Sequence, residues 1–308
     1  MSGLLLISVR FALYIVLASL FGLSAFSLYG LRAGERSNAL ALRPWLGSSA
    51  LIGLALSVVW LVLMASSMAG TPPWPIDQEA IGGLLTGSSI GTAWKIRVVA
   101  LVIGATAAMV AVGRSAGLAI VVLASAVALA MLAWTGHGAM DENASGWVHL
   151  AADILHLIAS GAWLGAVFGF VLLVSRPAAR VDTEHLNMTH RALHGFGAIG
   201  TFVVATIVLT GLYNCWMLIG IGNVSTLAST PYGKLFILKM VLFVTMLGLA
   251  SLNRFRLTPT FERAIIAHDA NGALSALRSS LAIETACIIT IFALVAWLGT
   301  LEPPAISM

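Results

Sequence analysis

The sequence predicts an all-α, polytopic integral membrane protein: a bundle of eight transmembrane helices with both termini on the outer side. Three observations predict it. Of 308 residues, 59% are hydrophobic and only 9% are charged, whereas a soluble domain carries about 25% charged residues. The mean hydropathy of +0.99 belongs to a chain solvated by lipid rather than water. The apolar residues fall into eight runs separated by Arg, Pro or Gly clusters, each run near the roughly 20 residues that a helix needs to cross a bilayer. A soluble core protein is excluded, and the whole chain, 1–308, reads as one membrane domain. The net charge of +4 does not point to nucleic acid, because the basic residues are scattered between the runs.

The first run, 4–31, lacks the positive n-region and the cleavage site of a signal peptide and is too long for a signal core, so it stays as a span. The second, 46–69, is stopped by Pro72, Pro73 and Pro75. Beyond them Ile76 to Leu85 reads as a short interfacial helix with Trp74 as its anchor. Runs 92–113 and 116–136 follow, parted only by VGRSAG, and then 147–174, 194–220, 233–253 and 279–300. The connections Pro177 to Arg191 and Leu257 to Arg278 read as short amphipathic or irregular links. Cys215 and Cys287 fall in different spans at different expected depths, which predicts no disulfide between them.

Orientation follows from the basic residues. Alternate connections hold eleven of the sixteen Lys and Arg residues, namely Arg32, Arg36, Arg43, Arg114, Arg176, Arg180, Arg191, Arg254, Arg256, Arg263 and Arg278. These connections face inward by the positive-inside rule, which places both termini outside.

The fifth span carries the chemistry. In WVHLAADILHLIASGAWLG, residues His149, Asp153 and His156 are three and four apart, so a helix sets them along one face. Titratable groups within a span are costly and mark a functional site by default. Just upstream, WTGHGAMDEN adds His137 and Met140 at the same outer end. Met64 and Met68 close span two on that side, Met131 closes span four, and Met217 closes span six beside Cys215. Imidazole and thioether together suit copper, Cu(I) above all, whereas magnesium or calcium want oxygen and zinc has little use for methionine. We therefore read His137, Met140, His149, Asp153 and His156 as a metal site, with Met64, Met68, Met131, Cys215 and Met217 as a secondary path.

Plainer readings stand beside these. The methionines equally serve as core packing, and His156 as a hydrogen-bonded structural residue. Arg10, Arg97 and Lys239 lie in the outer half of their spans, and Asp153 pairs with Arg10 or Lys239 if it does not ligate metal. Glu284 lies in the inner half of span eight with no evident basic partner. It belongs to an ion or proton path, or hydrogen-bonds across helices while protonated. On the inner side, HLNMTHRALH holds His185, Met188, His190 and His194, either an exit site or a solvated loop. No nucleotide-binding glycine loop, no nucleophile with a matched base and no Cys-x-x-Cys is present, so no enzyme activity is expected.

The run GHGAMDEN…DILHLIASGAWLGAVFGF resembles the copper-resistance protein D (CopD) family, as do HGFGAIGTFVVATIVLTGLYN and TPYGKLFILKMVLFVTMLGLASLNRFRLTP. Thr230, Tyr232, Gly233, Lys234 and Lys239, followed by Asn253, Arg254 and Pro259, are the most specific part. The resemblance covers the eight-span layout and is strongest over 137–259. It implies a bacterial inner-membrane protein that takes up or transfers copper, as Cu(I) or Cu(II), from the periplasm towards the cytoplasm. It also implies a separate periplasmic carrier of the CopC type as partner. The family's histidines fall on His137 and His156; His149 and Met140 rest on position and chemistry alone. Two other readings remain open: a haem-b electron-transfer protein, and a membrane docking or sensing partner of a copper carrier.

Overall fold

A computed structural model describes residues 2–36, 40, 42–110, 113–136, 144–176, 181–220, 227–267, 269 and 271–303. The described chain is helical: α1 (Ser2–Gly30), α2 (Leu42–Ala69), α3 (Gln78–Gly87), α4 (Ser89–Val110), α5 (Ser115–Ala130), a 3₁₀ turn (Ala133–Thr135), α6 (Ala144–Val174), α7 (Thr183–Ile219), α8 (Pro231–Leu252), a π turn (Asn253–Leu257), α9 (Thr258–Ile266) and α10 (Asn271–Leu298). Among the described residues, eight segments are long and apolar enough to cross a bilayer: α1, α2, α4, α5 with its 3₁₀ turn, α6, α7, α8 with α9, and α10. The short α3 forms two residues later than expected because Asp77 caps it, its side chain accepting from Ala80 N at 2.9 Å.

Three spans are longer than their apolar runs. Helix α7 begins at Thr183 rather than 194, α8 continues through the π turn into α9 as far as Ile266, and α10 begins at Asn271 rather than 279. The stretches expected as irregular links are thus largely helix. Asp182 accepts from His185 N at 2.8 Å and starts α7. From there His185, Met188, Thr189 and Ala192 form a buried stripe at helical spacing. His185 accepts from Arg176 at Nδ1 and donates from Nε2 to Leu173 O at 2.9 Å, which makes it a structural residue. Pro259 falls in the first turn of α9, where its missing N–H costs least.

Helix α1 is the axis of the bundle, packed against α2, α5, α6 and α10. Its closest approach is to α6. A Cβ added at Gly165 would stand 1.9 Å from the Gly22 carbonyl carbon, and one at Gly169 would collide with the Phe26 ring. Only glycine lets the two backbones meet this closely. Helix α7 packs on α6 and α8 packs on α10, while α7 and α8 do not pack substantially on each other. They leave a cleft between them. Their outer faces expose Phe202, Leu209, Val241 and Val244, as lipid contact requires.

Candidate metal site

The cleft between α7 and α8 holds a cavity of about 290 Å³ against α6. Arg10, Gly136 and Gly299 stand at its mouth, and Asp153, His156 and Trp163 descend along α6 into it. Those α6 positions are three and seven apart, so one helix face supplies them all. Helix α7 contributes Asn214 and Cys215; α8 contributes Tyr232, Lys239, Met240 and Met246.

His156 is oriented by α7. Its Nδ1 lies 2.9 Å from Thr210 Oγ1, and that hydroxyl is itself 2.6 Å from Thr206 O. Thr210 has one O–H, which it donates to Thr206, so Nδ1–H donates to Thr210 and Nε2 keeps its lone pair. This is the arrangement in which a histidine ligates a metal through Nε2. Gly211, next along α7, faces the ring: an added Cβ would stand in van der Waals contact, 3.4 Å from His156 Cε1.

Asp153 accepts from Asn214 Nδ2 at 2.6 Å. Its Oδ2 is 3.9 Å from the Cβ position of Gly136, the residue before His137. The expected ion pair with Arg10 or Lys239 is not formed: among the described residues neither cation comes within 4.0 Å of the carboxylate. Arg10 is engaged instead with Gly299 O at 2.9 Å and Thr135 O at 3.1 Å, a guanidinium fork that joins the end of α10 to the 3₁₀ turn. Lys239 faces the cavity with Asp153 and His156.

Other expected ligands separate from this group. His149 sits one turn nearer the start of α6, outside the cavity, edge-on to Tyr213 with ring centroids 6.3 Å apart. Its side chain is buried within the bundle, and its Nε2 has no partner among the described residues. His137 and Met140 lie outside the described residues. Met64, Met68, Met131 and Met217 do not line the cavity. Met64 packs between α2, α3 and α4, and Met68 is 63% exposed at the end of α2. The thioethers of the cavity are Met240 and Met246, on α8 next to Lys239 and two turns beyond it, so the buried lysine rather than any methionine spacing marks the face that turns inward. Cys215 and Cys287 are both free. Among the described residues no three of His, Cys, Asp and Glu are close enough to hold a metal ion, so the donors stand on the cavity walls rather than around a point.

A second cavity of about 360 Å³ lies further along the same cleft. It contains Glu284, buried to 3% exposure, whose carboxylate accepts from Trp163 Nε1 at 2.8 Å and Asn253 Nδ2 at 3.0 Å. Glu284 thus bonds across helices, one of the two readings open for it, and Trp163 lines both cavities. At the same end His190 and His194 share a face with ring centroids 6.1 Å apart, and His190 Nε2 is 3.7 Å from Glu262.

Comparison with known proteins identifies the family. Residues 1–147 match the family model of the copper resistance protein D-like N-terminal domain, and residues 190–298 match copper resistance protein D. The chain is 45% identical over 300 residues, 96% of its length and 96% of the relative's, to copper resistance protein D of Pseudomonas syringae pv. tomato. This chain belongs to the copper resistance protein D family. It is also 27% identical to inner membrane protein YebZ of Escherichia coli (strain K12), over 56% of each chain. Copper transport protein CutJ of Bacillus subtilis (strain 168) is 30% identical over 51% of this chain and 26% of that one. No solved structure matches. Membership of the copper resistance protein D family and the eight apolar helices make this a multi-pass membrane protein with a copper-related function. The two matched segments meet at the cavity: Arg10 comes from the first, and Asn214, Cys215 and Lys239 come from the second.

Proposed function

We propose that this chain is a copper carrier of the bacterial inner membrane, not an enzyme, and that copper enters the α7–α8 cavity from the periplasm on its way to the cytoplasm. The observation that carries this reading is His156, held by Thr210 with its Nε2 lone pair free, in a cavity that also contains Asp153, Cys215 and Met240. Imidazole, thiol and thioether are the donors that soft Cu(I) prefers. The Asp153 carboxylate offsets the charge of the entering ion. Lys239 in the same space opposes it, which keeps binding weak enough for release, as conduction requires. His137 and Met140, just beyond Gly136, are the proposed receiving groups at the mouth, and His149 is a reserve ligand one turn away. A separate CopC-like carrier is the proposed copper donor.

The arginine distribution supports the orientation. Arg32, Arg36, Arg114 and Arg176 flank helix ends opposite the Gly136 and Gly299 end of the cavity, Arg254 lies in the π turn that closes α8, and Arg278 bonds Val174 O at the end of α6, where the positive-inside rule puts the cytoplasm. Cells expressing the chain should accumulate copper, and Asp153→Asn and His156→Ala should abolish the gain at equal membrane abundance. Accumulation unchanged in both variants would sink this reading.

One feature favours a second reading. A mostly apolar cleft with an imidazole inside and two cations on its walls, Arg10 and Lys239, also suits haem b, with His156 as an axial ligand and the cations available to the propionates. Iron content separates the two.

A further inference from the structure

Glu284 has no role in receiving copper, yet among the described residues it is the most buried carboxylate. Its surroundings are unusual for a buried acid. Among the described residues it has no cationic partner within 4.0 Å, although a lone ionised carboxylate is costly to bury. The charged and titratable groups around it are few. The π turn after α8 brings Arg254, whose Nη1 donates to Thr201 Oγ1 of α7 at 2.6 Å. Helix α6 brings Trp163, and α9 carries Glu262 and Arg263, both exposed. Arg10, the charged residue of α1, and Lys239 of α8 face the other cavity.

What does touch the carboxylate can serve it in either protonation state. Asn253 Nδ2 donates to the ionised form. Asn253 Oδ1 is buried and has no partner, so a turn of the amide presents an acceptor to a protonated Glu284. Ser280, one turn back on α10, is buried with an unpartnered Oγ that can accept or donate. A lysine or arginine in place of Asn253 would lock the acid ionised. The groups around it are carboxylate, amide, hydroxyl and indole, with no sulfur or imidazole, so it is not a second copper site.

We infer that Glu284, with Trp163 and Asn253, is a proton-loading site linked to copper occupancy of the neighbouring cavity. This rests on the copper reading above for its coupling, though not for the proton itself. Trp163 follows His156 by seven residues, about 10.5 Å along α6, and its indole is both a wall of the copper cavity and a donor to Glu284. A monovalent copper ion arriving at His156 raises the local positive charge and disfavours the proton on Glu284. One Cu(I) enters and one proton leaves to solvent through the second cavity, so the charge of the bundle interior is conserved.

The test adds Cu(I) to the purified full chain in weak buffer with a pH indicator and compares wild type with Glu284→Gln. The glutamine is isosteric, and its N–H finds Asn253 Oδ1. Wild type should release about one proton more per bound copper than the variant. Equal release at equal copper stoichiometry overturns the inference. If wild type binds no copper, the copper reading fails, and the infrared carbonyl band of a protonated carboxyl decides the proton site. A band present at neutral pH in wild type and absent from Glu284→Gln upholds it; no band overturns it. Should Glu284→Gln not fold, Trp163→Phe is read instead: loss of the indole donor should shift that band, and an unmoved band overturns the inference.

Discussion

His156 owes its usefulness to a residue 54 positions away, on the next helix. Thr210 fixes the imidazole tautomer because its only proton is committed to Thr206 O. Thr210→Val removes that acceptor while keeping the volume and should weaken copper binding about 10- to 100-fold, the usual cost of losing a partner behind a ligating histidine. Competition against a chromophoric chelator reads this, with Thr210→Ser restoring affinity; equal affinity of the valine variant would contradict the assignment of Nε2 as ligand. Asp153 and His156 were legible in the sequence because polar groups stand out in an apolar run. Asn214 and Thr210 were not, since amides and hydroxyls are common in spans and their meaning depends on the facing helix. Met240 was hidden for the same reason that Met64 and Met68 misled: methionine is apolar enough to sit on either face, so its spacing carries no direction.

At the scale of elements, hydropathy located every span but not every helix end. Apolar runs report where lipid ends, whereas helices continue as far as backbone bonds and caps allow. That is why α7, α9 and the start of α10 extend beyond 194–220, 233–253 and 279–300. Rotation about the axis of α8 rests on one residue, Lys239, since the rest of that span is too uniformly apolar to show a face. The crossing of α1 and α6 is the contact that holds α6, and with it Asp153 and His156, in place. Gly165→Ala would push a methyl into the Gly22 backbone, and overpacking of this kind costs about 1–3 kcal/mol or more. Its thermal midpoint in detergent should fall well below that of Gly272→Ala, where an added Cβ meets nothing within 4 Å. Equal midpoints would contradict the close crossing.

For the whole molecule, the eight-span layout followed from composition alone, while the assembly of the site followed from none of it. Arg10 illustrates the difference. The sequence offers it as a counter-ion for Asp153, and the fold uses it to tie α1 to the end of α10 and to the 3₁₀ turn before His137. Arg10→Met should cost about 2 kcal/mol, the scale of charged hydrogen bonds lost from buried carbonyls. Arg10→Lys should recover only part of it, since an ammonium lacks the planar fork. Chemical unfolding in detergent measures both, and full recovery by lysine would contradict the forked contact. The proposed orientation makes its own prediction: alkaline phosphatase fused after Pro303 should be active, and an inactive fusion would place the cavity mouth in the cytoplasm.

The assignment of His156 as a copper ligand is tested by measuring copper and iron in the purified protein beside His156→Ala. About one copper per chain is expected, with no stoichiometric iron, and with the copper lost from a variant that remains folded. Copper retained in full by the variant, or iron near one per chain in its place, would contradict it.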